Sequence, residues 1–350
     1  MRAAHFIAPG EIDVQDFPDP VVQSPTDAVV RVVASCVCGS DLWPWRGIQQ
    51  RREGRIGHEF LGVVTDVGAD VTTVKPGQVV IAPFVISCGE CVHCKAGWTT
   101  SCLRGSGWGH KDKEGIPADG GQSEAIRVPL ADGTLVAAPV DENDERIPAL
   151  LTLSDVMGTG HHAALHAGVG PGSTVAVVGD GAVGLCAVLA AKRLGAERII
   201  ALSRYEDRQQ LVRQFGATDI VASRDADALA EIMALTDEVG VDATCECVGT
   251  TQSWETALDI TRPGGTVGYV GVPSGVEGGG LPLRKMFGRN VSVSGGVAPA
   301  RVYLPELLAD VLDGSLDPGP VFTSELPLSD VADAYRAMDE RRSVKVLLRP

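Results

Sequence analysis

Four cysteines crowd one short stretch of the sequence, CGECVHCKAGWTTSC, which spans residues 88–102. They are separated by two, two and seven residues, at Cys88, Cys91, Cys94 and Cys102. Four thiolates on one short lobe can surround a tetrahedral Zn²⁺ without an open position, so such a site stabilises the lobe and does no chemistry. An iron–sulfur cluster is the competing interpretation. The chain has nine cysteines, an odd number that disfavours a disulfide framework.

A second set of metal-binding residue types lies nearer the N-terminus. Cys38 stands in CVCGSDLW, and His58 and Glu59 stand in GHEFLGVVTDVGADV. A catalytic zinc needs about three protein ligands and keeps one position open for a substrate oxygen. Cys38 and His58 are therefore candidate ligands, and Glu59 is a candidate for a residue that supports the ligands or exchanges with one of them.

A glycine-rich turn, VVGDGAVGLC, forms the third motif. Gly179, Gly181 and Gly184 have GxGxxG spacing, follow an apolar strand pattern and open a helical pattern that contains Val183. Glycines at these positions let the backbone approach a pyrophosphate, whose charge lies at the helix N-terminus. The motif therefore predicts a dinucleotide-binding site.

The residues after the next apolar strand predict which dinucleotide binds. Ser203 lies nineteen residues after Gly184, in RIIALSRYEDR. NAD-binding proteins carry at about this position the acid that binds the ribose 2′-hydroxyl. A serine does not repel a 2′-phosphate, and Arg204 and Arg208 can pair with that phosphate. We therefore expect NADP to be favoured, with NAD or dual use as the alternative.

Two kinds of domain must position these residues. Residues 1 to about 150 contain short Val-rich strand patterns broken by Gly, Pro and Asp, such as AVVRVVAS and QVVIAP, which are typical of a barrel-like β domain. From about residue 170, apolar strand patterns alternate with helical ones, which indicates a doubly wound parallel sheet. The predicted fold class is therefore α/β.

Composition argues against several classes of partner. The 350 residues are 44% hydrophobic and 21% charged, as in ordinary globular proteins. The formal net charge of −15 argues against nucleic acid and anionic membrane as main partners. The N-terminal residues lack the apolar segment of a signal peptide, and the longest apolar run, residues 173–191, is broken by Gly179-Asp180-Gly181. We therefore expect a cytoplasmic protein without a membrane span.

Together the motifs resemble the zinc-containing alcohol dehydrogenases of the medium-chain dehydrogenase/reductase superfamily. The pattern GHExxGxxxxxGxxV, which starts at Gly57, carries the resemblance, and the likeness covers essentially the whole chain. It implies a GroES-like β-barrel catalytic domain over residues 1–155 and 293–350, with a structural zinc lobe at 88–102. It also implies a Rossmann domain over residues 156–292 and two Zn²⁺ ions per chain.

The resemblance assigns roles to single residues. The first two catalytic zinc ligands fall on Cys38 and His58, and the third falls on Asp155 in SDVMGTGHHAAL, where most relatives have Cys. Ser40 matches the hydroxyl that hydrogen-bonds the substrate oxygen. The remaining matches concern the cofactor. The residues matched to the nicotinamide are Thr159, Val248, Val270 and Val272, and the residue matched to the pyrophosphate is Lys345.

One departure from the family concerns the route of the proton. Trp43 occupies the position where relatives often carry a His that passes the proton onward. The proton is therefore expected to leave by another route, such as ribose to water, or to leave more slowly. His161 and His162 follow Thr159 and are predicted to be structural, with a part in the proton relay as the alternative. Trp43 and Trp108 are predicted to line the substrate pocket, with core packing as the alternative.

These features predict an oxidoreductase that transfers a hydride between a nicotinamide cofactor and an alcohol, aldehyde or ketone. A polyol or sugar dehydrogenase of the same superfamily is one alternative. A nucleotide-binding sensor that has lost catalysis is another, and the complete ligand set argues against it. Since relatives are dimers or tetramers, we expect a homodimer or a homotetramer.

Overall fold

The computed structural model of the protein describes residues 1–111, 115–273 and 282–350. The chain divides into two units, of which the first comprises Met1–Asp155 with Pro299–Pro350 and the second comprises Val156–Ala298. The second unit ends six residues beyond the predicted boundary at 292, because a strand at Ser292–Gly295 pairs within its sheet.

The N-terminal part of the first unit is built mainly from short strands, as its Val-rich sequence favours. Its strands are β1 (Arg2–Ala8), β2 (Glu11–Asp16), β3 (Ala28–Cys36), β4 (Gly54–Arg55), β5 (Phe60–Val67), β6 (Val79–Ala82), β7 (Val85–Ile86), β8 (Ser106–Gly107), β9 (His110–Lys111), β10 (Pro117–Ala118), β11 (Ala125–Val128) and β12 (Val136–Ala138). Its helices are α1 (Leu42–Trp45), α2 (Val92–Lys95), α3 (Ala131–Thr134) and α4 (Ile147–Thr152).

The second unit alternates helices and strands, as the sequence predicts. Its strands are β13 (Thr174–Val178), β14 (Arg198–Leu202), β15 (Asp219–Val221), β16 (Val241–Glu246), β17 (Thr261–Tyr269) and β18 (Ser292–Gly295). Its helices are α5 (Val156–His166), α6 (Ala182–Arg193), α7 (Glu206–Phe215), α8 (Asp225–Leu235), α9 (Thr251–Ile260) and α10 (Leu283–Arg289). The chain then returns to the first unit with α11 (Ala300–Asp313), β19 (Phe322–Pro327), α12 (Val331–Asp339) and β20 (Lys345–Arg349).

The main sheet of the first unit runs in the order β12-β6-β5-β3-β20-β19, with β11 also paired to β3. β3 pairs antiparallel with β5, and Ser35 lies opposite Phe60. The C-terminal end of β3 therefore lies beside the N-terminal end of β5. Cys38 follows the first of these two strands and His58 precedes the second. The C-terminal strand β20 pairs with the same end of β3, where Leu347 lies opposite Cys36.

The sheet of the second unit is parallel throughout and runs in the order β15-β14-β13-β16-β17-β18. This is the doubly wound strand order: successive strands are added on one side of β13 and then, from β16 onward, on the other side. In such sheets ligands bind at the carboxyl ends of the strands where the order changes. The α/β fold class predicted from the sequence is thereby confirmed. Among the described residues, no helix combines the length and the apolar character that crossing a membrane requires.

Candidate functional site

Four potential metal ligands converge in the first unit. One ligand atom from each of Cys38, His58, Glu59 and Asp155 lies within 4.8 Å of the other three. Asp155 Oδ2 is 3.7 Å from Cys38 Sγ and 3.5 Å from His58 Nε2. Ligands in a tetrahedron with zinc bond lengths of about 2.0–2.3 Å lie about 3.3–3.8 Å apart. The sulfur, nitrogen and oxygen donors of Cys38, His58 and Asp155 therefore fit a single zinc ion.

Asp41 fixes the orientation of the His58 ring. Its Oδ1 lies 3.3 Å from His58 Nδ1, so that Nε2 faces Asp155, and its Oδ2 accepts a 3.0 Å hydrogen bond from the backbone N–H of Cys38. A carboxylate on the second ring nitrogen is the usual partner of a metal-binding histidine. Asp41 follows Cys38 by three residues in the CGSD turn, which is the signal from which the sequence could have identified it.

The charges around His58 stabilise its protonated form when no metal is present. Burial by itself would lower the pKa of His58, but Asp41 and Cys38 outweigh this effect and hold the pKa well above its ordinary value. Burial would likewise raise the pKa of Asp41, yet His58 and the N–H of Cys38 bring it below its ordinary value. A metal must therefore displace a proton from His58 when it binds, so metal affinity should fall as the pH falls.

A buried chain of hydrogen bonds supports Asp41 from behind. Gln122 is fully buried, and its Nε2 donates to Asp41 Oδ2 at 3.1 Å and to the carbonyl of Cys36 at 3.0 Å. Its Oε1 accepts a 3.1 Å hydrogen bond from the hydroxyl of Tyr335 on α12. A Cβ at Gly57, whose φ is +98°, would overlap the Gln122 side chain. The glycine of the GHE motif thus leaves room for the residue that holds Asp41.

We expect Tyr335→Phe to weaken this support of Asp41 without leaving a cavity in the hydrophobic core. The variant keeps the aromatic ring beside Trp45, 5.4 Å away, and removes only the hydroxyl that holds Gln122. The free energy of unfolding should fall by about 1 kcal/mol. Zinc should leave several times faster in the presence of a chelator, because groups outside the ligand shell change metal affinity by roughly 10- to 100-fold. Tyr205→Phe, which alters an exposed phenol, is the control, and equal zinc loss in both variants would contradict the assignment.

Glu59 and Lys345 form a buried ion pair next to the candidate ligands. Lys345 Nζ donates to Glu59 Oε1 at 2.6 Å and to the carbonyl of Val37 at 3.3 Å, and Lys345 is 1% exposed. These two bonds use two of the three N–H donors of the ammonium group, so the predicted role of Lys345 at the pyrophosphate stays a prediction. Glu59 Oε1 lies 4.0 Å from His58 Nε2. Burial and the nearby Asp155 raise the pKa of Glu59, and Lys345 opposes this shift.

The remaining residues predicted near the substrate differ in their placement. Ser40 is half-buried in the turn after Cys38, and Trp43 is half-buried in α1. Trp108 is only 4% exposed; its ring packs edge-on against Phe60 at 4.9 Å, and its indole N–H donates to the carbonyl of Pro83 at 2.9 Å. Trp108 therefore belongs to the core of the first unit, which favours the core-packing alternative over a place in the wall of the substrate pocket.

The four clustered cysteines form a second potential metal centre in the first unit. Cys88 Sγ lies 4.0 Å from Cys94 Sγ, and Cys91 Sγ lies 4.0 Å from Cys102 Sγ. Sulfurs bound at about 2.3 Å to one zinc lie about 3.8 Å apart. None of the four is in a disulfide. The set is complete without His93, which is exposed.

Backbone N–H groups of the lobe point at the sulfurs of Cys88 and Cys91 and lower the pKa of both thiols, whereas burial raises the pKa of Cys94 to about 12. The N–H groups of Glu90 and Cys91 donate to Cys88 Sγ at 3.4 and 3.3 Å. The N–H of Leu103 donates to Cys91 Sγ at 3.5 Å, and this bond is the main reason that the pKa of Cys91 falls to about 6. Donors already directed at the sulfur atoms stabilise the negative charge that a zinc–thiolate centre carries.

The glycine motif lies in the second unit, in the turn between β13 and α6. Gly184 packs so closely against the preceding turn that a Cβ there would overlap the carbonyl oxygen of Gly179. Gly179 has φ +113°, and a Cβ on it would come 2.8 Å from Cγ2 of Val248. Gly181 precedes the first residue of α6, and Val183 lies in its first turn. Gly179 and Gly184 are therefore required by the tight path of the chain between β13 and α6, as in the strand–turn–helix form of the dinucleotide-binding motif.

Several residues predicted at the nicotinamide follow the ends of neighbouring strands. Val248 follows β16 and is 44% exposed, and Val270 and Val272 follow β17, the latter 48% exposed. Thr159 lies on α5. His161 and His162, on the same helix, are at most 1% exposed, and burial together with His166 lowers the pKa of His162 to about 4. These histidines lie in the interior of the second unit.

Of the residues predicted to select the cofactor, Ser203 and Arg204 directly follow β14, and Arg208 lies in α7. Ser203 donates a 2.8 Å hydrogen bond from Oγ to Oδ2 of Asp180, which stands between the first two glycines of the motif. Arg208 donates to the backbone carbonyl of Asp180 at 3.3 Å. Arg204 is exposed, and its guanidinium carbon lies 5.9 Å from the centre of the Tyr205 ring.

Comparison with known proteins agrees with this arrangement. Residues 24–139 match the profile of the alcohol dehydrogenase GroES-like domain, and residues 182–313 match that of zinc-binding dehydrogenases. A zinc-type alcohol dehydrogenase B of Aspergillus flavus is 32% identical over 359 residues, which cover 100% of this chain and 81% of that protein.

Solved structures show the same likeness. The alcohol dehydrogenase of Thermus sp. ATN1 is 30% identical with a TM-score of 0.92, and the match covers 100% of this chain and 99% of that one. A zinc-binding dehydrogenase of Sinorhizobium meliloti 1021, solved with NADP bound, is 26% identical with a TM-score of 0.84. This match also covers 100% of this chain and 99% of that one. The chain therefore belongs to the zinc-dependent alcohol dehydrogenases of the medium-chain dehydrogenase/reductase superfamily.

Proposed function

We propose that the protein is a zinc-dependent oxidoreductase that interconverts an alcohol and the corresponding aldehyde or ketone, with NADP favoured over NAD as the cofactor. The observation that carries this proposal is the convergence of Cys38, His58 and Asp155, whose ligand atoms have tetrahedral spacing. A sulfur, a nitrogen and a single oxygen from the protein match a catalytic centre that keeps a position open for substrate.

The roles of the residues in the first unit follow from their chemistry. Cys38, His58 and Asp155 would hold the catalytic zinc, with Glu59 as a supporting or exchanging group, and the four cysteines of residues 88–102 would hold a structural one. Bound zinc supplies a Lewis acid that polarises the substrate oxygen and lowers the pKa of the alcohol. Ser40, two residues after Cys38, would orient the substrate through its hydroxyl and take or return the substrate's hydroxyl proton.

The roles in the second unit concern the cofactor, which supplies the hydride chemistry when bound. The Gly179–Gly184 turn would bind the pyrophosphate through backbone N–H groups. Thr159, Val248, Val270 and Val272 would contact the nicotinamide. An apolar surface such as that of the three valines excludes water from a reacting ring and strengthens electrostatic interactions beside it.

Arg204 carries the proposed preference for NADP. We expect Arg204→Ala to weaken NADP⁺ binding by about tenfold or more and NAD⁺ binding much less, because a hydrogen bond to a charged group contributes about 1.5–3 kcal/mol. Titration of both nucleotides by calorimetry measures the two dissociation constants. Arg213→Ala, at the far end of α7, is the matched control for loss of a positive charge. Equal weakening of both nucleotides by Arg204→Ala would remove Arg204 from cofactor selection.

Two measurements on the purified protein test the proposed function. Metal analysis should give two zinc ions per chain, whereas a sensor without catalysis that kept only the structural site would give one. A panel of alcohols, polyols, aldehydes and ketones, followed by nicotinamide absorbance with NADP⁺ or NADPH, should then show turnover. Turnover confined to polyols or sugars would favour the related class of polyol and sugar dehydrogenases. Two zinc ions with no turnover on any of these classes would contradict the proposal.

The assembly is proposed to be a homodimer or a homotetramer, as the family resemblance implies. β18 is the last strand in the order of the second unit's sheet, and a terminal strand offers backbone groups to a further strand. Helix α10, which precedes β18, presents Leu283 and Phe287, which are 70% and 87% exposed. Light scattering should therefore give two or four times the mass of the 36.5 kDa chain.

A further inference from the structure

The carboxylate that the sequence lacks at the end of β14 is supplied by a neighbouring loop. Ser203, the first residue after β14, is 2% exposed, and its hydroxyl donates to Oδ2 of Asp180 at 2.8 Å. Asp180 belongs to the glycine turn that follows β13, the strand beside β14 in the parallel sheet. A negative charge is therefore present where NAD-binding proteins carry their ribose-binding acid, although it comes from a different segment of the chain.

Ser203 acts here as a positioning residue. A serine hydroxyl has one proton to donate, and Ser203 directs it to Asp180, so it has none left for a phosphate oxygen. The surrounding backbone is fixed as well: the Ser203 N–H donates to the carbonyl of Val221 at 3.0 Å, and Gln209 Nε2 donates to the carbonyl of Ser203 at 2.9 Å. The position and direction of the serine hydroxyl are therefore set by the fold.

Asp180 is held at both its side chain and its backbone. Ser203 binds one carboxylate oxygen, while Arg208 donates to the Asp180 carbonyl at 3.3 Å. An ionised carboxylate has about four acceptor positions on its two oxygens, so one bond from Ser203 leaves capacity for a ligand hydroxyl. Asp180 is half-buried, which leaves its carboxylate partly accessible to a ligand.

We propose that Asp180 is the residue that accepts the ribose 2′-hydroxyl of NAD and opposes the 2′-phosphate of NADP. This inference rests on the proposed function, since it presumes that a nicotinamide dinucleotide binds the glycine turn. Arg204, exposed one residue after Ser203, attracts the phosphate that Asp180 repels. The two residues act against each other, so the preference for NADP is moderate and NAD remains a usable cofactor.

Asp180→Asn tests the proposal, because asparagine keeps an acceptor for the Ser203 hydroxyl and removes the charge. Dissociation constants for NAD⁺ and NADP⁺ are measured by calorimetry on the full-length, zinc-loaded protein. The ratio of the two constants should shift toward NADP⁺ by roughly 10- to 100-fold, the size expected for a hydrogen bond to a charged group. Asp227→Asn removes an equal charge from the exposed first turn of α8 and should leave the ratio unchanged.

Ser203→Ala gives a second, independent test. This variant keeps the charge and removes the hydroxyl that positions it, so NAD⁺ affinity should fall several-fold while repulsion of the 2′-phosphate persists. Circular dichroism checks that each variant is folded, and Asp180→Ser replaces Asp180→Asn if the latter is not. A ratio within about twofold of wild type in the charge-removing variant, with both nucleotides still bound, would show that Asp180 does not select the cofactor. Wild-type protein that binds neither nucleotide would instead overturn the proposed function.

Discussion

Cys38→Ala should abolish turnover while leaving nucleotide binding intact. The variant removes the sulfur that lies 3.7 Å from Asp155 Oδ2 and leaves His58 and Asp155, with Glu59 as the supporting or exchanging group. Metal polarisation of a substrate oxygen contributes several kcal/mol to the transition state, so kcat/KM should fall by about three orders of magnitude or more. Initial rates on the best alcohol of the panel measure this loss, and metal analysis should show one zinc per chain.

Cys186→Ala is the matched control for this experiment. Cys186 is also a buried cysteine, but it lies in α6 of the second unit and outside both candidate metal sets. Its removal should leave two zinc ions and near-normal turnover. Nucleotide titration should give the same dissociation constants for Cys38→Ala and wild type, because the glycine turn is built by the other unit. An active Cys38→Ala variant, or one that retains two zinc ions, would remove Cys38 from the proposed catalytic centre.

The local motifs of the site could be found from the sequence because each depends on closely spaced residues. The cysteine lobe, the GHE motif and the GxGxxG turn each lie within about fifteen residues, and short spacing limits where their side chains can point. Asp155 was placed with Cys38 only through the family resemblance, since more than a hundred residues separate them. The alternating strand and helix patterns likewise sufficed for the fold class.

The parts of the site that the sequence does not predict depend on contacts between residues far apart in the chain. Tyr335 reaches Gln122 across 213 residues, and neither residue belongs to a recognisable motif. The family resemblance matches Lys345 to a residue at the pyrophosphate, and no motif indicates the pairing of β20 with β3 that places it beside the buried Glu59. An aromatic residue such as Trp108 has the same sequence signature whether it packs in a core or lines a pocket. Such distinctions depend on strand pairing, which single-sequence patterns do not encode.

Loss of one cysteine from the lobe at residues 88–102 should release the structural zinc and reduce the stability of the fold, whereas Cys38→Ala should release the catalytic zinc. The lobe has little apolar packing of its own, since Val92, Trp98 and Leu103 are 66%, 45% and 51% exposed. A segment without an apolar core depends on its metal, and structural zinc contributes about 10–16 kcal/mol to the folding of small zinc-finger peptides. We expect Cys94→Ala to keep one zinc per chain and to lower the free energy of unfolding by about 3 kcal/mol or more.

Limited trypsin digestion locates this effect in the lobe. Lys95 directly follows the buried Cys94, and Arg104 lies two residues after Cys102. Cleavage at both should become rapid in Cys94→Ala because the lobe no longer folds around a metal. Cys38→Ala serves as the reciprocal control, since it also loses one zinc but should keep the lobe resistant. A resistant Cys94→Ala protein with two zinc ions would contradict the structural assignment. Iron and sulfide in the wild-type protein would favour the iron–sulfur interpretation instead, because the four thiolates that suit zinc also suit such a cluster.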